Sequence, residues 1–105
     1  MKRLVSAVVA AGLVVAVSSA AEAHYPVCDC KMIDAVTVQC VGGFSDGSAA
    51  PGVVVDVISY DEQVLIAGKL DEASTLRFPR PDQDFYVLFD AGPGHTVEVE
   101  HTAIK

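Results

Sequence analysis

Six side chains in this sequence belong to the types that hold soft or borderline metal ions: His24, Cys28, Cys30, Cys40, His95 and His101. Three of them crowd into "HYPVCDC", residues 24–30. A histidine at the start of a mature chain offers its α-amine and an imidazole nitrogen to one ion, a bidentate grip suited to Cu(II) or Ni(II). Pro26 limits the form of such a site. It has no amide N–H, so the square built from successive amide nitrogens is closed to it and side chains must complete the sphere. Cys28 and Cys30 are two residues apart, and on a strand they point to the same face. Cys40 falls on the neighbouring strand of a hairpin that turns near Asp34-Ala35. Two chemistries are open to these cysteines. One is a three-thiolate cluster, with or without His24, for Cu(I) or Zn(II). The other is one hairpin disulfide, Cys40 with Cys28 or Cys30, and one leftover thiol.

His95 follows Gly92-Pro93-Gly94 in a turn, and His101 lies beyond it in the closing strand. Both are candidate nitrogen ligands, although a single histidine on a core-facing parity more often has a structural role. No serine, histidine and aspartate arrangement for nucleophilic catalysis stands out. "GGFSDG" lacks the lysine and the following helix of a phosphate cradle. The carboxylates, among them Asp46, Asp61, Glu62, Asp71 and Glu72, are scattered along turns as solvated residues. The chain is expected to be no enzyme.

The elements that must position these residues begin after a leader. Lys2 and Arg3 form a charged start, Leu4 to Val17 is an uncharged apolar run, and Ala21-Glu22-Ala23 fits the A-x-A cleavage pattern. The apolar run falls short of the roughly 20 residues that a membrane span needs. Residues 1–23 therefore read as a secretory signal peptide, with cleavage after Ala20 as a competing register. Residues 24–105 are left as a single small domain, near the size at which one core only just suffices. Export to the periplasm or the medium permits disulfides, and an odd number of cysteines, three here, leaves at least one unpaired within the chain. The net charge of −7 disfavours nucleic acid and anionic headgroups as partners.

No sustained helical period appears after residue 24. Short β-branched and aromatic runs alternate with turn residues, the pattern of an all-β sandwich. Strands are expected over Val27–Ile33, Ala35–Val41, Val53–Tyr60, Val64–Leu70, around Leu76-Arg77-Phe78, over Asp84–Asp90 and over Thr96–Ile104. About seven strands at this spacing predict a small immunoglobulin-like or transthyretin-like β-sandwich. Gly42-Gly43 signals a bulge or a close backbone approach. Period-2 geometry puts Val97, Val99, His101 and Ala103 on the core face of the last strand. Phe78, Tyr86, Leu88 and the Val53, Val55 and Val57 set are expected to complete the core.

Three stretches carry a resemblance: Phe44-Ser45-Asp46-Gly47 with Ala50 to Val53; Gly68-Lys69-Leu70-Asp71 with Phe78; and Asp90-Ala91-Gly92-Pro93-Gly94-His95. Together with a histidine near the mature N-terminus, they make the chain similar to the periplasmic sandwich domains associated with nickel and cobalt uptake by energy-coupling-factor type transporters. The resemblance covers most of residues 24–104, and the turn ending in His95 is its most specific piece. Leu70 and Ala73-Ser74-Thr75 replace a threonine and a glycine of the pattern, and the three cysteines are no part of it. The resemblance implies an immunoglobulin-like fold, a periplasmic or secreted location, and a non-enzymatic role in binding or delivering a transition metal ion. It points to nickel or cobalt, whereas the thiols point to copper or zinc. A membrane transporter component would be the partner. The alternative reading is a structural or interaction domain of the cell envelope, with one hairpin disulfide and no metal.

Overall fold

The computed structural model describes residues 24–105; the signal peptide expected over residues 1–23 lies outside the described residues. Seven strands follow in order: β1 (Pro26–Met32), β2 (Thr37–Phe44), β3 (Val54–Ser59), β4 (Val64–Lys69), β5 (Thr75–Pro79), β6 (Phe85–Asp90) and β7 (Thr96–Glu100). A 3₁₀ turn over His101–Ala103 follows β7. The strands form two antiparallel sheets, one in the order β1-β2-β5 and the other in the order β4-β3-β6-β7. This is an immunoglobulin-like sandwich in which the fourth strand pairs with the third rather than with the fifth. Among the described residues no helix is long and apolar enough to cross a membrane.

The core sits between the sheets. Val38 and Cys40 of β2, Val55 and Val57 of β3, Phe78 of β5, and Phe85, Val87 and Phe89 of β6 are all buried. The expected parity of β6 is reversed. Tyr86 and Leu88 are only half-buried on its outer face, while Phe85, Val87 and Phe89 fill the interior. Both parities of this strand are apolar, so alternation alone does not choose between them. Pairing does: Val55 stands opposite Phe89, and Val57 opposite Val87. Because a one-residue slip exchanges faces, the partner strand fixes which set goes inside.

Several strand ends also differ from expectation, and β2 runs on through the glycine pair to Phe44. β2 begins at Thr37 because Asp34 Oδ1 accepts the Val36 amide at 2.9 Å, which leaves Val36 in an exposed turn. β7 stops at Glu100, and the 3₁₀ turn shifts the alternation. Ile104, expected to face outward, is buried in the core, and Ala103 is exposed. Arg80 holds this turn in place. Its guanidinium donates to Ile104 O at 3.1 Å and His101 O at 3.2 Å, and lies 5.5 Å over the Phe85 ring. These bonds satisfy carbonyls that a strand ladder would otherwise have used.

Gly42 explains the glycine pair in β2. A Cβ here would come within 2.7 Å of the Phe89 ring and 2.8 Å of Leu70 Cδ1. The missing side chain lets Phe89 lie flush against the backbone, edge-on to Phe44 at 6.0 Å between ring centroids. β1 and β7, edge strands of opposite sheets, face each other across the sandwich. The Met32 amide donates to Lys105 O at 3.2 Å and ties the end of β1 to the last residue of the sequence.

Candidate functional site

Two groups of potential ligands emerge. The first lies at the end of the sandwich where β1 starts and β7 starts. The "FSDG" stretch makes a tight turn there. Gly47 takes φ 90°, a left-handed conformation that suits glycine, and its amide donates to Phe44 O at 2.8 Å. Asp46 Oδ1 accepts both the amide and the hydroxyl of Ser48, at 2.9 and 2.7 Å. This turn is stitched to the chain entering β1: Tyr25 N donates to Ser45 Oγ at 3.1 Å, and Ser45 N donates to Tyr25 O at 2.8 Å. His24 is thereby set beside Asp46, with Nδ1 2.8 Å from Oδ2. Hydrogen bonds from the Ser48 hydroxyl and amide, with the nearby His24 contributing less, hold the Asp46 carboxyl below its ordinary range.

The β6–β7 turn meets the same place. Gly92 and Gly94 take φ 110° and 78°, and the His95 amide donates to Gly92 O at 2.8 Å. The His95 ring is oriented by its Nδ1, which donates to Pro93 O at 3.1 Å. Since a carbonyl only accepts, the proton belongs on Nδ1 and the lone pair on Nε2. His24 and His95 line one groove of about 330 Å³, together with Phe44, Ser48 and Ala91.

The second group lies on the inner face of the three-stranded sheet. Cys30 and Cys40 stand directly opposite each other in the β1–β2 ladder and form a disulfide. Cys28 is the free cysteine among the described residues, and its Sγ is 4.0 Å from Cys30 Sγ. The three sulfurs lie within 4.8 Å of one another, the one group of three or more such ligands close enough to share an ion among the described residues. Burial, with a smaller contribution from the charge of Asp29, pushes the Cys28 thiol up to about 11. The two chemistries left open for the cysteines thus resolve to the hairpin disulfide with a leftover thiol. The bond withdraws Cys30 and Cys40 from thiolate ligation for as long as it lasts. A disulfide fits an oxidising compartment.

His101 stands apart from both groups. It lies at the opposite end of the sandwich, beside Val36, Arg80 and Asp84. Its Nδ1 faces Phe85 O at 3.1 Å and its Nε2 faces Asp84 Oδ1 at 3.2 Å. Its ring packs on Phe85 and Tyr60, at 5.6 and 5.9 Å between centroids. Both ring nitrogens face protein acceptors, and the ring is separated from the other candidate ligands by the length of the sandwich. His24 likewise falls outside the group of three sulfurs.

The residue that sequence reasoning missed is Asp46, read as one more solvated turn carboxylate. The available signal was the "FSDG" turn, whose glycine fixes where the aspartate points. No family model, no curated protein and no solved structure matches this chain.

Proposed function

We propose that this protein is an exported, non-enzymatic β-sandwich that binds a transition metal ion, nickel, cobalt or copper, at the end that carries the His24–Asp46 pair, with the His95 ring swinging in from across the shared groove to complete the site. The observation that carries this reading is the convergence of His24 and His95 on one groove, with Asp46 already in contact with His24. These residues lie far apart in sequence, and each belongs to a stretch that carries the resemblance to nickel and cobalt uptake domains.

The donor set fits such an ion. When the chain begins at His24, its amine and Nδ1 can close one chelate ring, with the ion replacing the Nδ1 proton. Two ligands at right angles, each about 2.0–2.1 Å from an ion, stand about 2.9 Å apart. The Nδ1-to-Oδ2 separation is 2.8 Å, a spacing that suits two adjacent ligands of one ion and supports Asp46 as the next ligand. His95 would add Nε2, with its Nδ1–H held by a carbonyl in the way that orients metal-bound histidines. Nitrogen and oxygen donors of this kind suit Ni(II), Co(II) and Cu(II). The role would be binding or delivery, with a membrane transporter component as the partner.

Calorimetric titration of the exported, processed chain with Ni(II) and Cu(II) tests this. One ion per chain is expected, with affinity at least about tenfold weaker in His95→Ala and in His24→Ala, since losing even a group that only orients a ligand costs about 10–100-fold. Unchanged binding in both variants would contradict the reading. A second reading, a structural or interaction domain of the envelope, draws on the Cys30–Cys40 bond, which joins two of the three cysteines across the first hairpin. That reading expects no ion in the same titration.

A further inference from the structure

We propose that Cys28, Cys30 and Cys40 form a second metal site, for Cu(I), which reduction of the Cys30–Cys40 disulfide opens and oxidation closes. It uses none of the residues of the first site, and none of the motifs of the resemblance.

Strand pairing holds the three sulfurs together. Cys30 and Cys40 are opposite partners in a ladder that runs unbroken from Pro26 opposite Phe44 to Met32 opposite Val38. Cys40 is also paired on its other side with Leu76 of β5. Backbone hydrogen bonds, rather than the S–S bond, set this register. When the bond is cut, the two thiols remain side by side on the inner face, with Cys28 two residues along on the same face. Three sulfurs each about 2.3 Å from one ion stand about 4.0 Å apart in a trigonal plane. Cys28 Sγ and Cys30 Sγ are 4.0 Å apart, and all three lie within 4.8 Å.

The surroundings select the ion. Cys28 and Cys30 pack against the hydrophobic core and Cys40 is part of it. An all-sulfur site with apolar neighbours favours a soft, singly charged ion over a hard or strongly hydrated one. The chemistry balances with a dithiol as co-reactant. The dithiol gives up two electrons and two protons and becomes a disulfide. The Cys30–Cys40 bond breaks and two thiols form. Cu(I) then enters without change of oxidation state, and the thiol protons it displaces leave to solvent. In the closing direction a partner disulfide takes up the two electrons and becomes a dithiol, the Cys30–Cys40 bond reforms and Cu(I) is released. In the oxidised chain only Cys28 is available, which is too few ligands for tight binding.

The test is a competition for Cu(I) against a chromophoric chelator such as bicinchoninate, anaerobically. It uses the full processed chain, either as isolated or after reduction and removal of the reductant. The reduced chain is expected to withdraw one Cu(I), with sulfur-to-copper absorption in the ultraviolet, and the oxidised chain none. Cys28→Ser, a near-isosteric change, should weaken the reduced chain's hold at least about tenfold, while His24→Ala with His95→Ala leaves it unchanged. Equal withdrawal by oxidised and reduced chains would overturn the gating, and wild-type affinity in Cys28→Ser would overturn the site. Loss of the β-sheet circular dichroism on reduction would also overturn it, because the ladder would then not be what holds the sulfurs. Since the histidine site is untouched throughout, failure here leaves the Ni(II) titration to be judged by itself.

Discussion

Cys28 is where the residue scale is most informative. Its thiol is two residues from a disulfide sulfur, yet burial raises it to about 11. At pH 8 that leaves about a hundredfold less thiolate than a thiol at its ordinary value of 9.0. The native chain should therefore react with iodoacetamide about a hundredfold more slowly than the chain in denaturant, where one thiol per chain reacts. Alkylation followed by mass spectrometry reads this directly; equal rates would place Cys28 in solvent. Gly42 gives a second test at this scale. Gly42→Ala would put a methyl group within 2.7 Å of the Phe89 ring. Overpacking of this kind costs about 1–3 kcal/mol, read as a lower denaturation midpoint at unchanged slope.

Among the elements, the β1–β2 hairpin depends most on a single bond. The disulfide joins residues with a sequence separation of 10, and closing a loop of that size removes about 3 kcal/mol of unfolded-chain entropy. In a domain this small, that corresponds to a fall of roughly 10–20 °C in Tm on reduction or in Cys30→Ala with Cys40→Ala. Scanning calorimetry with and without reductant checks it, and Cys28→Ala should leave the Tm within a few degrees. The turns set the acid limit. Asp34 is held below its ordinary range chiefly by the Val36 amide, and Asp46 chiefly by the Ser48 hydroxyl. A carboxyl whose value is lowered by folding stabilises the native state fully above its unfolded value, near about pH 3.9. That contribution is lost as pH falls through the lower folded value. Both groups are exposed, so each effect is modest. Tm should stay flat from pH 7 to about 5 and fall below about 4, and Asp34→Asn should remove part of that fall.

At the scale of the whole molecule, the strands were legible because each is a β-prone run bounded by turn residues. The strand number and the first hairpin follow from that spacing, whereas the order within each sheet and the choice of Cys30 over Cys28 as the partner of Cys40 depend on pairing between strands. Facing was less legible. β6 is apolar on both parities, so only its pairing with β3 decides that Phe85, Val87 and Phe89 go inward. The 3₁₀ turn at His101 depends on Arg80, which lies 21 residues earlier in the chain, and no local pattern announces it. The candidate site was half legible. His24 and His95 stand out by residue type, but Asp46 becomes visible only when the "FSDG" turn brings it against His24. His101, grouped with them by type alone, is carried to the far end by the path of β7.

One ion is expected to be shared by His24 and His95 and ignored by His101. The most direct measurement is the nuclear magnetic resonance of the histidine rings in the processed chain at substoichiometric Cu(II), whose unpaired electron broadens nearby signals. The sequence has three histidines, so each ring can be followed. The His24 and His95 signals should broaden together at the first additions while those of His101 stay sharp. His95 staying sharp while His24 broadens, or all three broadening in parallel, would contradict the account.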